Sequence, residues 1–253
     1  MSVPVCVPPI RRKRQGEEGT QLELDLDFMQ KTFLLVWQGA GVTLALTALS
    51  LVLAAPIAFC FAVLRVRGHR VGGTIARFYV SFVRGTPLVL QILLLYSLLP
   101  SLLNLLVKAA GSSFNVFEAV DPFWYAVFIF TLNTVALLTE AFRSALLAIP
   151  KGQLEAGAVC GLSEAETYLH VILPQALVVA LPSIANITVN LIKGTSLAFL
   201  MTVKDIMAVG KIAASYGYNY IEAYLDVFVV YLILCTIVQL LFAAAERRVG
   251  AFR

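Results

Sequence analysis

Few side chains in this chain could do chemistry, because 60% of its residues are apolar and only 13% are charged. Polar groups inside apolar runs therefore carry unusual weight. Glu140 shares such a run with Asn133 and Thr134, which lie two turns and less before it on a similar helical face. Arg84 immediately precedes Gly85-Thr86-Pro87, and Gln91 follows seven residues later on the same face. Lys193-Gly194-Thr195-Ser196 interrupts another apolar segment. Charge at membrane depth costs at least ~2.5 kcal/mol on insertion scales, so it is seldom incidental. An anionic Glu140 could attract an ammonium or cationic side chain, and Arg84 could grip a carboxylate bidentately. Each group also has a structural role open to it. Glu140 can pair with Arg143 at i,i+3, Arg84 can anchor the inner interface, and Asn133 and Gln91 can bond between helices. Lys193–Ser196 fits an unwound helix lining a path or the end of a span, and Pro182 and Asn186 point weakly to a broken helix.

Covalent chemistry is not expected. The sequence has no HExxH, no Ser/His pair and no paired Asp within its apolar runs. Cys6, Cys60, Cys160 and Cys235 are scattered without a CxxC pair, and His69 and His170 lack partners at ligand spacing. Neither a metal, a cofactor nor a disulfide is anticipated.

The elements that must position these residues follow from five uncharged runs, residues 32–64, 85–107, 122–139, 171–192 and 227–245. Roughly 20 apolar residues cross a ~30 Å hydrocarbon core as a helix. The runs predict an all-α transmembrane domain over 31–247, with spans at about 34–64, 85–107, 122–148, 171–200 and 224–245. Residues 1–30 are expected to be a poorly ordered tail. Arg65, Arg67, Arg70, Arg77 and Arg84 place the first loop in the cytoplasm, which puts the N-terminus outside and the C-terminus inside. Arg11-Arg12-Lys13-Arg14 opposes that orientation from about 20 residues away, and a start at Met29 would remove it.

Between the third and fourth runs lies an unusually structured polar segment. Lys151 to Cys160 favours helix, Gly161 supplies a left-handed stop, and Ser163-Glu164-Ala165-Glu166 is a capping box. Local physics therefore predicts helix, tight turn and helix, then a span entered through Leu173-Pro174. The result is a stiff elbow at the cytoplasmic face.

This spacing resembles a known pattern. Glu155-Ala156-Gly157, Gly161 six residues after the Glu, then Val171, Leu173 and Pro174 resemble the EAA loop of ABC-transporter membrane subunits. Gly157 stands for an Ala and Val171 for an Ile, and Gly157 is expected to loosen the first short helix. Arg84-Gly85-Thr86-Pro87 with Gln91, the run from Thr139 through Ala156, and Lys193-Gly194-Thr195-Ser196-Leu197 resemble polar amino-acid permeases of the histidine/glutamine type. The likeness covers about residues 37–245.

The resemblance implies a five-helix type I importer membrane domain in the cell membrane, paired with a second permease subunit, the same or homologous. Two ATP-binding cassette subunits would dock at a coupling loop over 151–169, with Gly152, Glu155, Ala156, Gly161, Leu173 and Pro174 as its signature. An extracytoplasmic binding protein would deliver a polar amino acid along a path that Arg84, Gln91, Asn133, Glu140, Lys193, Thr195 and Ser196 could line. The chain has no GxxxxGK[ST] phosphate loop, since Gly210-Lys211 lacks the upstream Gly and is followed by Ile212. On that reading it is not itself an enzyme and must borrow an ATPase; nothing suggests a nucleic-acid partner. Rival readings are import of another small amphoteric solute such as an opine, or a self-sufficient channel or secondary transporter. The elbow argues against that second class, because a channel needs no ATPase-docking loop.

Overall fold

The computed structural model describes residues 24–111 and 119–250, and every regular element among them is helical. Asp25 caps α1 (Leu26–Val66) by accepting from the Phe28 amide at 3.0 Å. After the turn at Gly68 (φ +68°), His69 caps α2 (Arg70–Arg84). Next come α3 (Leu88–Ala109) and α4 (Pro122–Ala148). The elbow contains α5 (Gly152–Val159) and α6 (Glu164–Thr167), followed by a π-turn (Tyr168–Ile172). The chain then continues through α7 (Leu173–Gly194), a 3-10 segment (Thr195–Met201), α8 (Ile206–Gly217) and α9 (Tyr220–Gly250). Among the described residues, five stretches are long and apolar enough to cross a membrane, matching the five uncharged runs.

The core is built around α4, which packs against α1, α2, α3 and α7. Ala54, Ala58 and Ala62 form a small-residue stripe on α1 that admits Val135, Leu138, Phe142 and Ala145 of α4. Small residues matter here because helices in lipid gain from close backbone approach rather than from hydrophobic exclusion. Further along, Leu46 meets Val127 and Phe130. The two helices therefore run parallel.

The second span departs from expectation. Residues 70–84 form a complete helix rather than a short stretch in a loop, and it turns back into the bundle. Val80 and Val83 pack on Ala136, and the Tyr79 hydroxyl donates to the Leu132 carbonyl at 2.6 Å. α3 continues the same ascent, with Tyr96 against Tyr125 at 6.0 Å between ring centroids. The Gly85–Pro87 break thus lies opposite the middle of α4. Arg84 sits four residues before the second apolar span, at a discontinuity opposite the middle of α4. Pro87 is the N-cap of α3.

The fourth span also differs. α7 runs unbroken past Pro182 and Asn186, and Lys193–Ser196 is the junction where it tightens into the 3-10 segment, not an unwound gap. Beyond that, Thr202 takes a left-handed conformation (φ 59°) and Asp205 caps α8.

The elbow folds as its sequence predicts. The Gly161 amide donates to Ala158 and the Leu162 amide to Gly157, both at 3.0 Å, which closes α5 with a Schellman motif around Gly161 at φ +78°. Ser163 and Glu166 cap each other reciprocally. Gly157, however, does not loosen α5. A Cβ there would collide with the Thr167 side chain, so the missing carbon is what lets α5 and α6 touch.

Two predictions follow from these close approaches. A Cβ on Gly39 would lie 2.8 Å from the Ile206 nitrogen and 2.9 Å from the Asp205 carbonyl. Because those atoms are backbone, Gly39→Ala should lower stability by roughly 1–3 kcal/mol, the usual range for overpacking. A thermal melt in detergent that does not move would contradict this. At the elbow, Gly157→Ala should loosen α5 from α6, and adding Thr167→Ala should restore it. Amide exchange of residues 152–167 reads that rescue directly.

Candidate functional site

Two polar regions stand out, one at mid-bundle and one at the elbow. At mid-bundle the α2–α3 break frees backbone carbonyls, and Gln91 answers them. Its Nε2 lies 2.8 Å from the Val83 carbonyl, 3.1 Å from the Thr86 carbonyl and 2.7 Å from Thr86 Oγ1. The Asn133 amide nitrogen then donates to Gln91 Oε1 at 3.2 Å, fastening the break to α4. Leu88, just past the break, comes close to both Gly194 and Phe130. This brings the α7–3-10 junction to the same level. Arg84, Gln91, Asn133, Lys193, Thr195 and Ser196 therefore gather around the middle of α4.

Their individual settings differ. Arg84 and Lys193 are exposed, Gln91, Asn133 and Ser196 are half-buried, and Thr195 is buried with its hydroxyl donating to the Ile192 carbonyl at 2.7 Å. Glu140 is not part of this group. It lies two turns further along α4, roughly 10 Å by helical rise. Arg65 Nη1 approaches one of its oxygens at 2.6 Å and Arg143 Nε the other at 2.9 Å. The i,i+3 pairing with Arg143 was legible in the sequence; the partner from α1 was not. Both carboxylate oxygens are committed to joining α1 to α4, which is a structural task.

Sequence reasoning passed over two residues. Asn190 joins Pro182, Asn186 and Lys193 in an exposed stripe at positions i, i+4, i+8 and i+11 of α7. Helical spacing of amides within an apolar run was the signal that could have found it. Asp205, a charged residue between the fourth and fifth apolar runs, is fully buried. It accepts from the Ala208 amide at 2.9 Å and the Tyr231 hydroxyl at 3.1 Å, and so holds the turn that follows the 3-10 segment. Burial pushes its carboxyl up to about 6, against the pull of those hydrogen bonds.

The elbow presents a different chemistry. Gly152 opens α5, and Glu155 and Ala156 are exposed. Val159 is 88% exposed at the tip, flanked by exposed Leu162 and Leu169. Leu173 and Pro174 start α7. From the far side, Arg67 reaches the elbow with an ion pair to Glu164 at 3.4 Å and stacks over the Tyr168 ring at 4.7 Å. An apolar tip beside a free carboxylate, on a segment stiffened at both turns, is a surface suited to a protein partner.

Comparison with known proteins agrees with this anatomy. The chain is 34% identical over 207 residues to a probable amino-acid ABC transporter permease of Vibrio harveyi, covering 82% of this chain and 88% of that one. It is 33% identical over 237 residues to an L-cystine transport system permease of Bacillus subtilis, covering 92% and 94% respectively. An octopine transport system permease of Rhizobium radiobacter is 32% identical, with 89% and 90% coverage. Among solved structures, an amino acid ABC transporter with histidines superposes with a TM-score of 0.75 at 26% identity, over 90% of this chain and all of that one. A methionine ABC transporter shares the fold, with a TM-score of 0.67 over 89% of this chain and 99% of that one. The family model for binding-protein-dependent transport system inner membrane components matches residues 50–251. With that much of its length matched, and with a five-span helical bundle to carry it, the chain belongs to this family of membrane transport components.

Proposed function

We propose that the chain is the permease subunit of an ATP-driven importer for a polar amino acid. The observation that carries this reading is the elbow. Its Schellman turn and capping box stiffen a segment whose inner side packs on the bundle through Leu154 and Tyr168 while its apolar tip at Val159 stays exposed. Such a projection fits a cleft on an ATPase, one on each of two permease subunits that pair around a shared path. The N-terminus lies outside and the C-terminus in the cytoplasm, so the elbow faces the compartment where ATP is available. A secreted binding protein delivers the solute to the opposite face. The chain supplies no phosphate loop of its own, so hydrolysis belongs to the partner.

Within the subunit, Arg84, Gln91, Asn133 and Lys193–Ser196, together with Asn186 and Asn190, line the path. Exposed amides and two basic side chains at mid-bundle offer hydrogen bonds and a carboxylate partner to an amphoteric solute. Glu140 and its two arginines brace the bundle below. Import of an opine is the second reading, favoured by the similarity to a permease named for octopine transport.

Reconstitution of the chain with its ATPase and binding protein in liposomes tests the proposal, with uptake and ATP hydrolysis followed together. Gly161→Leu forces a side chain into a left-handed position at a cost of about 1–2 kcal/mol. It should leave the five spans folded while ATP hydrolysis no longer drives uptake; normal uptake would refute the docking role. Asn190→Leu should cut uptake about tenfold or more through the lost polar contact, with ATPase association unchanged. Undiminished uptake would remove α7 from the path.

A further inference from the structure

At the opposite end of the bundle from the elbow, the N-terminal parts of α1 and α9 border a groove of about 460 Å³ lined by Met29, Gln30, Phe33, Leu34 and Asp226. Asp226 is only 4% exposed. Its Oδ2 is sealed from solvent and has no donor among the described residues. A buried carboxylate that is short of partners is costly, so an occupant that brings positive charge into the groove beside it is favoured. The groove also has a defined depth. The uncharged run of α1 begins at Thr32 and that of α9 at Val227, so Asp226 stands where hydrocarbon gives way to the polar interface.

The geometry points to a binding site for a phospholipid with a primary ammonium headgroup. The carboxylate calls for a cation, and its narrow exposed face calls for one that approaches closely, which the methyl groups of a quaternary ammonium prevent. A bare metal ion would need more oxygen ligands than one carboxylate and the Gln30 amide supply. The walls identify the remainder of the molecule. Met29, Phe33 and Leu34 are apolar, and exposed Trp37 and Leu44 continue the same face of α1 one and three turns beyond Phe33. Phe33 and Trp37 stack at 6.3 Å, giving a flat track from the headgroup pocket toward the acyl region. Trp37 is also the residue type that settles at the bilayer interface. Glu222, one turn before Asp226, accepts from the Asp25 amide at 3.4 Å and adds negative charge to the rim.

Native mass spectrometry of the full-length chain tests this, using phosphatidylethanolamine, phosphatidylcholine and phosphatidylglycerol with identical acyl chains. Wild-type protein should retain the ethanolamine lipid about tenfold over the choline lipid, the factor a charge-assisted hydrogen bond supplies. Asp226→Asn should bring that ratio to about one while leaving phosphatidylglycerol retention unchanged, and Asp226→Glu should keep the preference. Equal retention of the two zwitterionic lipids by wild type, or an unaltered preference in Asp226→Asn, overturns the assignment. Should Asp226→Asn not yield intact protein, Leu34→Trp fills the groove with the carboxylate in place. Loss of the preference in that variant supports the site, and its persistence refutes it. Displacement of the lipid by an equal concentration of soluble phosphoethanolamine would also overturn it, in favour of a site for free amines.

Discussion

Every backbone carbonyl released from a helix in hydrocarbon has to find a partner, and the α2–α3 break meets that demand with two side chains, Thr86 at the Phe82 and Val83 carbonyls and Gln91. Gln91 reaches back across the discontinuity to the Val83 and Thr86 carbonyls, and Asn133 holds Gln91 in place from α4. Non-helical backbone at membrane depth persists only where protein groups or a polar cavity satisfy it. Much of the architecture depends on this arrangement. It lets a polypeptide change direction in the middle of the bundle, and it brings a basic residue, a threonine and two amides beside the junction of α7 with its 3-10 segment.

The bundle supports the break with ordinary packing. The alanine stripe of α1 draws it close to α4, and the Arg65–Glu140–Arg143 cluster locks the two near their C-terminal ends. Ion pairs with little water around them are costly to break one partner at a time. That makes Glu140 a fixed point of the fold. The amides Asn186 and Asn190 and the lysine Lys193 of α7, by contrast, stay exposed.

What the sequence made legible divides along physical lines. Charge gaps located all five spans, because desolvation of charge is a strong and local constraint. Caps located the elbow for the same reason: Ser163, Glu166 and Gly161 act within four residues of themselves. Features resting on distant partners were not legible. That α2 packs inside the bundle depends on Ala136 and Leu132, more than 50 residues away, and nothing in residues 70–84 announces it. The clamp of Arg65 on Glu140 spans 75 positions. Gly157 read as a weakness in α5 because its counterpart, Thr167, lies on the next helix. Pro182 suggested a break that the surrounding helix absorbs. Asn190 was overlooked although its spacing was visible.

Arg67 gives the elbow a mechanical consequence. By holding Glu164 and Tyr168, it ties the elbow to the corner between α1 and α2, not merely to the helices that precede and follow it in the chain. α2 starts at that corner and ends at the Gly85–Pro87 discontinuity, 15 residues on, or about 22 Å along a helix. One helix thus spans the distance from the corner that Arg67 joins to the elbow to the mid-bundle break that Gln91 and Asn133 fasten.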